Sequence, residues 1–330
     1  MSRWYVRYGI PAVLLAVLFW RTEIWRADEI LDDLRWWPAV VAVLLNVLYP
    51  LPLTARLALI LRRLDHPAKL SALVPLALFA NMASSLTPAA SGEALRPIFY
   101  RDQFGVPIYR GAAAVFYERI YSFYLMALSA LAALAVVFLP GPVLGPTVGI
   151  LLLCLFHVPA RLYPPSARLV LRIAEAPVLR PISRRPAVQA FMEELNKSDR
   201  VVAELFADFR LSLQVTATTY AVFLLMAVQF WFVLEAFDEG LALHEAWVLL
   251  STSFLVGVAS AIPLGLGTTD GTLIFFLTRF DVAATASTAI TLLLRLTATL
   301  PSGIMGLWGF WRATRARQPV PAEQALEPSS

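Results

Sequence analysis

The residues of this sequence with the means to do chemistry are a few charges set inside or beside long apolar runs. Glu118 and Arg119 interrupt residues 111–139, Arg295 is the single charge between residues 284 and 301, and Glu93, Arg96 and Asp270 stand next to breaks rich in small residues. A guanidinium can hold two oxygens of one phosphate, so arginines in such places suit an anionic group, with the acids balancing charge or taking up a proton. Each residue also has a plainer reading. Glu118 and Arg119 can form internal ion pairs that fix packing, and Arg295 can hold carbonyls freed at a break. Glu93 and Asp270 can cap short helices, where free amides and the helix dipole favour a carboxylate. Asn81, in an otherwise apolar stretch, suits a hydrogen bond between helices better than a ligand.

Other reactive constellations are missing from the sequence. His66, His157 and His244 are scattered, the one cysteine is Cys154, and no His-Glu-x-x-His, Gly-x-Ser-x-Gly or phosphate-binding loop occurs. Gly265-Leu266-Gly267 lacks the strand and helix that a dinucleotide fingerprint needs. No metal or cofactor is expected, and no catalytic residue is assigned.

The setting of these charges follows from composition. Of 330 residues, 59% are hydrophobic and 15% charged, against about 25% charged in an ordinary soluble domain. With a mean hydropathy of +0.68, a water-soluble enzyme, a disordered chain and a coiled coil are all excluded, and an all-α polytopic membrane protein is expected. A charge at the centre of a bilayer costs about 2.5–3.5 kcal/mol on insertion scales and therefore turns to the interior of the bundle.

A crossing helix needs about 20 apolar residues, and six stretches supply them: 8–25, 36–61, 111–139, 146–163, 211–235 and 282–311. Two further stretches, 70–86 and 245–262, run instead into breaks, 87–92 and 263–269, each followed by a short amphipathic piece. Lys and Arg gather on cytoplasmic flanks. With both termini inside, the cytoplasmic loops are 62–69, 96–110, 161–210 and the tail, all rich in Lys and Arg, and outside fall three poorly basic regions: 21–35, with five acids (Glu23, Asp28, Glu29, Asp32 and Asp33), and 140–146 and 238–245, which carry no Lys or Arg. This orientation requires both broken stretches to be re-entrant hairpins, one from each side. Irregular backbone at membrane depth persists only where protein or a wet cavity surrounds it, so the breaks mark the candidate site: Pro88 and Gly92 in the first, Pro263, Gly265, Gly267 and Gly271 in the second.

The breaks also match each other. Gly92-Glu93 leads to Gly105-Val106 and then Glu118-Arg119-Ile120; Gly267 and Asp270-Gly271 lead to Asp281-Val282 and then Leu294-Arg295-Leu296. Gly92 to Arg119 is 27 positions, Gly267 to Arg295 is 28. Three crossings per half invert the second copy, the plan of many transporters. The expected division is residues 1–139 and 140–312 as two membrane repeats, with a disordered tail at 313–330. Between the halves, a cytoplasmic linker at about 164–210 carries Arg168, Arg172, Arg180, Arg184 and Arg185 among aliphatic residues. It suits a surface of anionic lipid headgroups rather than nucleic acid.

Residues 88–120, with Pro-Ala-Ala-Ser-Gly-Glu-Ala-Leu-Arg and Tyr-Glu-Arg-Ile, and residues 262–306, with Pro-Leu-Gly-Leu-Gly-Thr-Thr-Asp-Gly and Leu-Leu-Arg-Leu, resemble two signatures of the flippase-like family, also called the lysylphosphatidylglycerol synthase transmembrane region. The resemblance implies a bacterial or archaeal inner-membrane protein that moves or helps process lipid or glycolipid headgroups. Gly92, Glu93, Arg96, Glu118, Arg119, Gly267 and Arg295 match signature positions, while Asp270 stands where the family commonly has Glu. Members that aminoacylate phosphatidylglycerol carry a large soluble domain after the membrane region, for which too few residues follow here, so that activity is not expected. The expected ligand is an anionic phospholipid or a lipid-linked glycan. The substrate-binding candidates are Arg96, Arg119 and Arg295 with Glu93, Glu118 and Asp270. A non-transporting accessory subunit beside a lipid-processing enzyme is the alternative.

Overall fold

The computed structural model describes residues 34–139, 143–158, 186–260, 265 and 267–315, and every regular element among them is helical. In chain order these are α1 (Trp36–Leu48), α2 (Pro50–Arg63), α3 (Leu70–Leu86), a 3₁₀ turn (Pro88–Leu95), α4 (Arg96–Phe104), α5 (Ile108–Phe138) and α6 (Leu144–Cys154). After them come α7 (Pro186–Ala207), α8 (Phe209–Ala236), α9 (Leu243–Ala259), α10 (Thr268–Arg279), α11 (Ala284–Leu294), a π turn (Arg295–Thr299) and α12 (Leu300–Arg315).

Four rods are long and apolar enough to cross a membrane: Trp36–Arg63, Ile108–Val136, Phe209–Ala236 and Ala284–Arg315. The first combines α1 and α2 because Tyr49 between them keeps helical dihedrals, φ −51° and ψ −39°. Their outward faces are oily. On α1, Val40, Leu44 and Val47 are exposed while Pro38, Ala39, Ala42 and Asn46 are buried, an arrangement that water would penalise and hydrocarbon accepts. Of the six expected crossings, 8–25 lies outside the described residues. The 146–163 crossing is described only to residue 158, where the apolar helix spans Leu144–His157. The last crossing is not a continuous α-helix, because a π turn at Arg295–Thr299 divides it.

Of the two breaks, the first is described throughout. Thr87 stops α3 with extended dihedrals, its hydroxyl donating to Ala83 O at 2.7 Å and accepting the Gly92 N–H at 2.7 Å. Gly92 folds back so far that a Cβ there would lie 2.5 Å from Ala83 O, leaving room for glycine alone. Of the second break, Pro263 is outside the described residues. Gly265 (φ +58°) and Gly267 (φ +79°) are left-handed, a region that glycine enters without a steric cost. Gly271 lies within the first turn of α10 rather than in the break.

Arg110 Nη1 donates to Leu64 O at 3.0 Å, joining the entry to α3 with the start of α5. Ala246 of α9 and Val282 before α11 belong to one buried cluster with Leu34 and Ala236. Both short helices also stop alike. Gly105 (φ +67°) and Asp281 (φ +62°) are left-handed, and each precedes a buried valine, Val106 or Val282.

In the linker, Arg168 to Arg185 lie outside the described residues. Residues 186–207 form α7, which buries Val202, Leu205 and Phe206 with Tyr117 and Tyr121 of α5. Residues 316–330 of the tail are not described, and helix α12 continues to Arg315.

Asp208 joins α7 to α8 and caps α8. Its Oδ1 accepts the Leu211 N–H at 2.9 Å and its Oδ2 pairs with Arg63 Nε at 2.7 Å. The Leu211 amide first, and then the Arg63 guanidinium, hold this carboxyl below its ordinary value against the opposing effect of burial. A folded-state value lowered in this way stabilises the fold above the unfolded-state pKa and ceases to do so as pH falls through the folded one. Asp208→Ala should therefore cost about 1 kcal/mol at neutral pH. In melting curves followed by tryptophan fluorescence, the gap between wild type and variant should close as pH drops below about 4.

Candidate functional site

All six sequence-derived charges line one cavity of about 540 Å³ between the helices, and the structure adds a seventh, Arg56. The chemistry of the first half is a chain of alternating signs. Glu118, from the third turn of α5, receives Arg56 Nη2 on Oε1 and Arg96 Nη2 on Oε2, both at 2.5 Å. Arg96 Nη1 lies 3.7 Å from Glu93 Oε1, and Glu93 takes both nitrogens of the Arg119 fork. Ser84 of α3 also accepts from Arg119. Arg56–Glu118–Arg96–Glu93–Arg119 is thus continuous.

Local structure explains each position. Arg96 opens α4 next to Pro97, whose ring suits the first turn, and its Nε donates to Tyr100 one turn on at 2.9 Å. Glu118 and Arg119 are neighbours in sequence, so the helix turns them apart by about 100°. One faces α2 and the other α3. Glu93 sits on the 3₁₀ turn fixed by Thr87 and Gly92, and it does not cap α4, whose N-cap is Leu95 without a side-chain bond.

The second half supplies a simpler pair. Arg295 Nε and Nη2 grip the two oxygens of Asp270 at 2.7 and 2.5 Å. Asp270 Oδ2 also accepts the Gly267 N–H at 2.9 Å, so the cap and the ion pair are made by one carboxylate. Two carbonyls at the π turn are held by amide side chains, and one of them, Thr297 O, lacks a helical donor because residue 301 is proline. Thr297 O accepts from Gln229 Nε2 at 3.1 Å and Ala298 O from Asn46 Nδ2 at 3.0 Å. Ser302 Oγ donates to Asn46 Oδ1 at 3.1 Å, which completes that amide. Asn81 faces the cavity and takes a long bond from Tyr49 Oη at 3.5 Å.

Sequence reasoning missed Arg56, Asn46 and Gln229. Arg56 carried a usable signal, since it is a charge within the apolar run of α2, but its nearness to Arg62 and Arg63 makes it resemble a flank. Asn46 and Gln229 carried none, because an amide's task depends on which carbonyls a distant helix leaves free.

Burial divides the charges by role. The Arg56 and Glu118 side chains are 8% and 5% exposed, whereas Arg119 and Asp270 are 28% and 23% exposed. The core of the chain is closed, while Arg119–Glu93 and Arg295–Asp270 open onto the cavity. Four guanidiniums against three carboxylates leave the lining one positive charge.

Oily rods around a charged, ligand-sized chamber define a multi-pass membrane protein with an internal polar site. The chain belongs to the family described as the lysylphosphatidylglycerol synthase TM region, whose model matches residues 4–306. No curated protein and no solved structure matches it.

Glu118→Gln should be the most damaging single change at this site. It leaves Arg56 and Arg96 buried without their shared counter-charge, a loss of about 3–5 kcal/mol for a broken buried pair. Replacing Arg56 and Glu118 together by Met and Leu should cost less than the sum of the single changes, since each single variant strands a charge. Melting of the detergent-purified variants measures both.

Proposed function

We propose that the protein is a flippase-like carrier of an anionic lipid or lipid-linked sugar, acting in the cell inner membrane with both termini cytoplasmic. One observation carries the reading: two arginine–carboxylate pairs, one from each half, open onto a single cavity whose lining has one net positive charge. A phosphodiester carries one negative charge and would neutralise it. About 540 Å³ is the size of a small-molecule pocket, enough for a headgroup while the acyl chains remain in lipid.

In this reading the segments 70–104 and 243–279 are re-entrant hairpins from opposite leaflets, and the halves are an inverted repeat. The bond from Arg110 to the Leu64 carbonyl supports it for the first segment, since it ties the approach to α3 to the start of α5. So do the matched turns at Gly105 and Asp281. Further support comes from the pairs themselves: Glu93 and Arg119 are 26 positions apart, Asp270 and Arg295 25.

Phosphate oxygens entering the cavity compete with Glu93 for Arg119 and with Asp270 for Arg295, because guanidinium accepts either oxyanion in the same forked geometry. Arg96 and Glu118 hold that arrangement from behind. Glu93 and Asp270, once displaced, carry the balancing charge or take up a proton.

A second reading has one observation in its favour. Every cavity arginine already has a carboxylate partner, as in a purely structural network, and this suits an accessory subunit that organises lipids for an enzyme without moving them. Reconstitution separates the two. Proteoliposomes containing the protein should accelerate inversion of a fluorescent anionic phospholipid, and Arg119→Ala and Arg295→Ala should each slow it at least tenfold, the loss of about 1.4 kcal/mol of binding. No acceleration for any anionic lipid class, with a stoichiometric enzyme co-purifying, would sink the carrier and support the subunit. Topology is tested separately: with Cys154→Ser as background, Gly240→Cys should label only from outside and Arg180→Cys only from inside.

A further inference from the structure

Beside its charged pairs the cavity has a polar wall without charge. Tyr49, between α1 and α2, Asn81 and Ser85 of α3 and Ser302 of α12 all line it. They belong to one side of the chamber, since α3 packs on both α2 and α12. The three phenylalanines of the lining come from other helices: Phe123 from α5, Phe223 from α8 and Phe254 from α9. Those three helices pack against one another.

The amides of the lining have different tasks. Asn46 and Gln229 are tied to the frame, holding backbone carbonyls at the π turn. Asn81 is only half-buried and faces the cavity, and the Tyr49 hydroxyl meets its Oδ1 at 3.5 Å, longer than an ordinary O–H donor makes. The helix fixes where Asn81 stands relative to the charges. Ser84, which accepts from Arg119, lies three residues further along α3 and Ser85 four. Residues at these spacings are neighbours on one face, about 5–6 Å apart. The neutral wall therefore begins one turn from the Arg119 fork.

Charge and hydrogen bonding narrow what can lie there. A phosphodiester at Arg119 balances the one net positive charge of the lining. An ammonium on the headgroup would restore the imbalance. A plain alkyl group would displace water from the amide and hydroxyls without replacing its hydrogen bonds, which is costly in an enclosed site. A neutral hydroxyl avoids both penalties, because it donates and accepts and so suits an amide beside other hydroxyls. We propose that Tyr49, Asn81 and Ser85 form a hydroxyl-reading subsite: the cavity selects phosphodiester lipids whose headgroup is a neutral polyol, a glycerol or a sugar, over those ending in an alkyl group or an amine. This selectivity rests on the reading above in placing the lipid phosphate at Arg119.

Native mass spectrometry of the detergent-purified full-length protein tests the subsite without requiring transport. The probe is an equimolar mixture of phosphatidylglycerol, phosphatidylpropanol and phosphatidylethanolamine with identical acyl chains, the first two having the same charge and differing only in the hydroxyls. Phosphatidylglycerol should be retained about tenfold more than either of the others. Asn81→Leu should lower it to the level of phosphatidylpropanol and leave phosphatidylpropanol itself unchanged. Tyr49→Phe removes a single oxygen, covers the case of an Asn81 variant that folds poorly, and should reduce the preference about threefold. Equal retention of phosphatidylglycerol and either competitor, or retention of none of the three, overturns the proposal. So does a preference that survives in the folded variants. Selective retention with no inversion in proteoliposomes would instead remove the carrier and leave the subsite standing.

Discussion

Burying charge in an oily bundle is tolerable only if signs alternate, and the chain Arg56–Glu118–Arg96–Glu93–Arg119 meets that condition with one ion pair after another. Desolvating each ion is costly, and attraction in a medium of low dielectric repays the cost only when both oxygens of a carboxylate are used. Glu118 uses both, one for α2 and one for α4. The charge chain therefore also fastens together three elements that the rest of the fold brings from different directions. The backbone break serves the same end. Without the fold-back at Gly92 the Glu93 carboxylate would not stand between Arg96 and Arg119.

The second half reaches a comparable result with fewer parts. One carboxylate, Asp270, caps α10 and neutralises Arg295, and the residue before that helix is a left-handed glycine. Aspartate is shorter than glutamate, yet it spans the gap with both oxygens, because the helix start holds it close to the arginine. The first half holds its acids within the network by ionic contacts alone and the second by an ionic contact plus a backbone amide. Arg119 and Asp270 are the more open partners of the two cavity-facing pairs.

Much of this was legible in the sequence. Long apolar runs located the rods to within a few residues, and α3 begins at Leu70 and ends at Leu86, where the composition shifts. The cost of charge in lipid picked out Glu118, Arg119 and Arg295, and the small-residue breaks picked out Glu93 and Asp270. All of them face the same cavity. Partner choice was not legible. Whether Arg295 would hold carbonyls or a carboxylate depended on the π turn, and hydropathy is blind to a change of helical hydrogen bonding inside an apolar run. Arg56 escaped because a charge within two turns of a basic flank looks like part of it, and only the position of Glu118 on a helix far along the chain reveals that it turns inward.

The π turn at Arg295–Thr299 adds a fraction of a turn to a helix that otherwise repeats every 3.6 residues. Gly303, Gly306, Gly309 and Ala313 beyond it present a smooth strip against α3, where Met82 and the Pro75 carbonyl lie too near for any side chain at Gly306 or Gly309. Arg295 before it points to Asp270. The widened turn is a phase shifter that lets a single rod address two neighbours lying at unrelated angles. Restoring ordinary winding there would bring one of the two contacts out of step with the other.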